Sequence, residues 1–204
     1  MTAITSRTLV PAAALTVALL MSACGRDDPD ALVASAQDYL SRNDAPAAII
    51  QLKNALQSRP DSAKARLLLG QALLDTCDEQ GAETEFRKAQ YLGVPPAEVV
   101  PQLALALLRS RQYSKITSDY AGQQLADAQA QASLQTTLAI AWQRQGDEAK
   151  AQGSLGEALK AKADYAPALI EQARSKVRGG DVDGALAGLG QIPRQSPVGA
   201  EALK

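Results

Sequence analysis

Small residues recur along this chain at Ala36, Gly70, Ala104, Ala139 and Ala173, at intervals of 34, 34, 35 and 34. A period of that length limits the fold severely. One unit of about 34 residues cannot bury an apolar face alone, so successive units must stack into an open array. A second small column, broken at Ile116, follows twelve residues behind: Ala48, Ala82, Ile116, Ala151 and Ala185. Bulky residues come four later, at Leu52, Phe86, Tyr120, Leu155 and Leu189. Small side chains at two fixed places let helices approach closely. The bulky column, with Tyr39, Leu73, Leu107 and Trp142 from the preceding helix, fills the space between. Between the small columns stand Asn43, Cys77, Arg111, Gly146 and Gly180, each followed by Asp44, Asp78, Gln112, Asp147 or Asp181. Asn and Gly turn a chain, and an Asp after the turn caps the amides that open the next helix. Pro60 and Pro197, at equivalent sites in the first and last units, break the chain before the next pair. The pattern predicts helix, short turn, helix, break, five times over.

These columns resemble the tetratricopeptide (TPR) motif from Pro29 to Pro197. The expected fold is therefore all-α: a solenoid of five TPR-like repeats spanning 29–62, 63–96, 97–131, 132–165 and 166–197. Residues 198–204 read as the start of a sixth repeat cut short, with no polar terminal cap, as in the N-terminal part of a longer array. The third repeat is weak. Ile116 occupies a small position, and Ser114, Thr117, Ser118 and Gly122 lower helix propensity, so its second helix should be short or irregular. Pro101 is expected near the N-terminal turn of that repeat's first helix, where proline is tolerated. Lys176 enters the bulky column in the fifth repeat, which also carries Gly184, Gly188 and Gly190.

The resemblance implies a right-handed superhelix whose concave face is lined by the first helix of each pair. Two apolar rows fall there: Val33, Leu67, Pro101, Thr136 and Ile170, then Leu40, Leu74, Leu108, Gln143 and Val177. Beside the second row run Ser41, Asp75, Arg109, Arg144 and Arg178, with Arg174 adding to the last repeat. The groove is expected to have an apolar floor and to pass from mildly acidic to basic along its length. Such a basic ladder suits an acidic peptide, an anionic polysaccharide or lipid headgroups. The alternative is a solvated face with apolar residues packed between repeats. The clamp by which chaperone-tail-binding TPRs hold a terminal carboxylate needs Lys and Asn where this chain has Val33, Leu67 and Gln37.

The N-terminus adds an address. One cation, Arg7, precedes an apolar run from Ala12 to Met21, with no acidic residue. Ser22 and Ala23 then lead into Cys24. This is a secretory signal over residues 1–23, too short to span a bilayer as a lasting helix. The sequence Leu20-Met21-Ser22-Ala23-Cys24 resembles the lipobox of bacterial lipoproteins, with Met21 where Leu is commoner. The resemblance implies lipidation at Cys24, cleavage before it and acylation of the new N-terminus. Two or three acyl chains make a stable anchor where one is marginal. Residues 24–28 form a tether that keeps the first repeat within roughly 20 Å of the lipid surface. Gly25, in place of the Asp that favours inner-membrane retention, points to the outer membrane facing the periplasm.

Composition removes several classes of function. Without Arg7 the mature chain has 20 basic and 22 acidic residues, a net charge of −2, which argues against nucleic acid as a partner. The absence of histidine removes the commonest general base and metal ligand. Only Cys24 and Cys77 offer sulfur, so no zinc site can be assembled, and no catalytic residue, metal or cofactor is assigned. Glu83 with Glu85, and Asp181 with Asp183, are spaced like acid–base pairs but read as exposed helix and cap residues. Cys77 either pairs with another chain in an oxidising envelope or is an idle thiol in a turn.

A narrower resemblance lies in DPDALVASAQDYLSRNDAPAAIIQLKNALQSRPDSAKARLLLGQALLD, from Asp28 to Asp75, in Val99-Val100-Pro101, and in Asp164-Tyr165-Ala166-Pro167-Ala168-Leu169. These segments are similar to the PrsT-like TPR lipoproteins of PEP-CTERM/exosortase systems. That likeness implies a non-enzymatic, membrane-anchored scaffold for envelope proteins in exopolysaccharide production or export and PEP-CTERM protein sorting. The competing expectation is a TPR lipoprotein serving outer-membrane protein assembly or pilus secretin placement.

Overall fold

A computed structural model describes residues 28–192. The signal segment, Cys24, the tether through Asp27 and everything from Pro193, including Pro197 and the expected sixth repeat, lie outside the described residues. Ten helices and no strand occur among the described residues. They pair as α1 (Pro29–Ser41) with α2 (Ala45–Ser58), and α3 (Ala63–Asp75) with α4 (Glu79–Tyr91). Next come α5 (Pro96–Arg109) with α6 (Tyr113–Tyr120), and α7 (Ala128–Arg144) with α8 (Glu148–Ala161). The last pair is α9 (Ala166–Arg178) with α10 (Val182–Leu189). The architecture is that of a TPR solenoid.

The turn columns act through backbone geometry. Asn43, Cys77, Arg111, Gly146 and Gly180 all take positive φ, between 58° and 86°. Each is the left-handed residue that ends the first helix of its pair. The following residue then donates its N–H to the carbonyl five back, at 2.8 to 3.0 Å, from Asp44 to Tyr39 through Asp181 to Lys176. This is a Schellman closure. The same Asp also opens the next helix. Its carboxylate accepts from Ala47, Gly81, Lys150 or Gly184 at 2.9 to 3.2 Å. Gln112 makes the backbone closure at 2.8 Å but no side-chain cap, and α6, which follows it, has only eight residues. A missing cap and the Ser/Thr content of the segment together account for that short helix.

The core follows the packing columns. Ala36, Ala48, Leu52, Ala82, Phe86, Ala104 and Ile116 are fully buried. Gly70 lies so close to the Phe86 ring that a methyl group there would meet it at 2.6 Å. One continuous apolar cluster runs from α1 into α7, and two small clusters serve the last two pairs. Lys176, in a bulky position, reaches the Gly184 carbonyl at 3.2 Å instead of packing.

Two features differ from expectation. Pro101 is the sixth residue of α5 and buried, beyond the first turn, so the Ala97 carbonyl lacks its usual i+4 donor. Helix α7 starts at Ala128, ahead of residue 132. Asp127 caps it by accepting from Ala130 at 2.7 Å, and Gln131 ties its first turn to the Leu125 amide at 2.8 Å.

A candidate ligand-binding groove

Curvature follows from which helices touch. The backbones of the first helices of successive pairs approach closely (α1 with α3, α3 with α5, α5 with α7, α7 with α9), whereas the backbones of successive second helices stay apart, with only long side chains bridging α4 and α6. The face carrying the first helices is therefore the inner one.

On it lies a groove of about 250 Å³ between α1, α3 and α5. Leu40, Leu74 and Leu105 supply its apolar surface, and the Gln71 and Gln102 carboxamides stand among them. Asp75 and Arg109 complete the lining. Arg109 donates from Nη1 to the Leu74 carbonyl at 2.8 Å, holding the C-terminal turn of α3 against α5. This cation at a helix C-terminus is favourably placed and is partly committed to structure.

The sequence-derived candidates divide under this geometry. Leu40, Leu74 and Arg109 converge on the groove. Val33 and Leu67 retain only 9% and 6% exposure and belong to the main apolar cluster. They offer a ligand no more than an edge, because their position on the helix also faces the neighbouring pair. Leu108 and Ile170 are half-buried, while Val177 is 54% exposed. Arg144 and Arg178 are exposed and form no salt bridge among the described residues. Arg174, also exposed, pairs with Glu171 on its own helix. Arg178 lies in the field of Glu148, whose carboxyl is held below its ordinary range by hydrogen bonds from Ser175 and Gln152 and then by Arg178.

The row reading missed Gln71, Gln102 and Leu105. The signal was present: Leu67, Gln71 and Leu74 follow i, i+4, i+7 spacing and so share one face. A separate polar cluster joins α4 to α6. Glu83 accepts from Lys115 at 2.5 Å, Gln112 at 2.9 Å and Arg87 at 3.0 Å. Burial works to raise its pKa, but these donors outweigh it and bring the value down from 4.5 to about 2. Glu85 is nine-tenths buried and paired with Arg66 at 2.6 Å, so it is not the exposed residue expected. Glu83 ties the second pair to the third, and Glu85 ties the two helices of the second pair to each other. No metal-competent cluster of His, Cys, Asp and Glu occurs among the described residues, and none of their helices is long and apolar enough to cross a membrane.

The fold class so defined is the TPR solenoid. Solved structures with the same architecture include PilF of Pseudomonas aeruginosa, at TM-score 0.65 and 19% identity over 88% of this chain and 82% of that one. PilW, a type IV pilus biogenesis factor, matches at TM-score 0.64 and 20% identity over 80% of this chain and 75% of that one. YrrB, a TPR protein with an unusual peptide-binding site, matches at TM-score 0.59 and 15% identity over 88% and 93%. No protein-family model and no curated protein sequence matches the chain. At these identities the likeness concerns the fold.

Proposed function

We propose that this protein is a non-catalytic scaffold, lipid-anchored through Cys24, that holds envelope proteins in its concave groove. The observation that carries the reading is the groove itself, with apolar, amide and charged side chains converging on a preformed surface between α1, α3 and α5. A preformed receptor surface loses little conformational freedom on binding. Anchoring it to a membrane raises its effective concentration around other membrane-bound proteins. The resemblance of residues 28–75 to PrsT-like lipoproteins supports a place in exopolysaccharide production or export and PEP-CTERM protein sorting, at the outer membrane facing the periplasm. A second reading, a scaffold for pilus assembly, is favoured by the shared architecture with PilF and PilW.

In-cell crosslinking followed by pull-down of the protein, with Cys24→Ala as the mislocalised control, separates the two. Polysaccharide-export or sorting components recovered with the first and lost with the second support the leading reading. Pilus or outer-membrane assembly proteins in their place support the other. Equal recovery from both chains removes the anchor from the mechanism.

A further inference from the structure

We propose that the groove selects an extended peptide bearing one apolar side chain and, centred five to six residues away, a pair of acidic side chains on the same side of the chain. This rests on the groove being a protein-binding site.

The apolar part of the argument is volumetric. A space of about 250 Å³ bounded by Leu40, Leu74 and Leu105 admits one or two side chains. The Gln71 and Gln102 carboxamides bond no other described residue, and each can both donate and accept. An extended segment presents free main-chain N–H and C=O groups to such carboxamides, whereas a helix has already used its own. The pair therefore favours an extended backbone, irrespective of its sequence.

The acidic part comes from the rim. Moving along the same helical position, the chain presents Asp75 in α3, Arg109 in α5, Arg144 in α7 and Arg178 in α9. Asp75 repels acid at the apolar end. Arg109 is partly committed to the Leu74 carbonyl and stands beside Asp75 in the groove, so the rim arginines with no hydrogen bond or salt bridge among the described residues are Arg144 and Arg178. Neighbouring helices lie about 8–10 Å apart, so the step from the α3–α5 groove to the α7–α9 rim is roughly 16–20 Å. An extended chain rises about 3.3 Å per residue and covers that distance in about five to six residues. The exposed Val177 beside Arg178 adds an apolar contact at the far end.

The test is fluorescence anisotropy on the full mature chain with labelled 12-residue Gly/Ser peptides. The first carries Leu at position 3 and Glu at positions 7 and 9, which share one side of an extended chain with the Leu. The second moves both Glu to positions 4 and 5, and the third replaces them with Gln. The first should bind about tenfold more tightly than the others, the scale of two partly exposed ion pairs. Arg144→Gln with Arg178→Gln, both surface changes, should erase that advantage and leave the Gln peptide unaffected. Leu105→Gln should weaken all three. Equal binding of the three peptides overturns the two-part selectivity while leaving a peptide groove in place. No peptide binding, with helicity by circular dichroism intact, overturns the groove reading itself. Binding of a uronic-acid oligomer that depends on Arg144 and Arg178, without peptide binding, assigns the rim to an anionic sugar and overturns the proposal.

Discussion

Replacing Gly70 by alanine sets two opposed effects against each other. In an isolated helix the change is favourable by about 1 kcal/mol. Here the new methyl would stand 2.6 Å from Cδ1 and Cε1 of Phe86 and 3.0 Å from Cζ. An ordinary contact needs roughly 1 Å more, and Phe86 is fully buried with nowhere to retreat. Overpacking of this kind costs about 1–3 kcal/mol, so the net effect should be a loss of up to about 2 kcal/mol. For a chain of 204 residues that lowers Tm by about 2–4 °C per kcal/mol. The informative comparison adds Phe86→Leu. In the first and fourth pairs a leucine, Leu52 or Leu155, already faces an alanine, Ala36 or Ala139. In the double variant the methyl should occupy the space the ring vacates, with a favourable coupling of about 1–2 kcal/mol. Urea unfolding followed by circular dichroism reads all helices, and the single Trp142 reports on the fourth pair. Comparing the two probes shows whether the loss stays local, as a solenoid permits. If Gly70→Ala is stabilising by the full helix-propensity gain and the cycle is additive, the ring is not why a glycine stands there.

The left-handed turn residues give a second expectation: Cys77→Gly should stabilise the fold by up to about 1 kcal/mol, and Gly146→Ala should destabilise it by about 1–2 kcal/mol, both read as shifts in urea midpoint. Removing a cap with Asp78→Ala should cost about 1 kcal/mol and lower helical content. The low pKa of Glu83 makes its contribution present above about pH 4.5 and lost as pH falls toward about 2. Its full size is at most about 3 kcal/mol. Wild type should exceed Glu83→Gln in stability at pH 6, with the gap closing by pH 2.5; a gap constant with pH would show that charge at this position is immaterial.

The helix pairs were legible because their causes are local and repeated. A turn residue followed by Asp recurs, and so does a small residue sixteen positions before a bulky one. Even Cys77 and Arg111, poor candidates for positive φ by type, were placed by the Asn and Gly in their column. Val33 and Leu67 were harder to place. Their helical position faces both the groove and the next pair, and a list of apolar residues does not say which contact prevails. The groove residues Gln71 and Gln102 come from adjacent helices, so their convergence depends on inter-pair geometry that one period does not encode. The early start of α7 has a different origin: Asp127 and Gln131 supply a local cap outside the repeat pattern.

Because one Asp both ends a helix through its amide and begins the next through its carboxylate, the two helices of a pair have no neutral place to be cut. A break between Asn43 and Asp44 would damage both ends at once, whereas one near Arg59 or Lys162 falls between hairpins and leaves the turn inside each intact. Growth and loss of such an array should therefore proceed in whole hairpins, and tolerated insertions should collect at the joints between them.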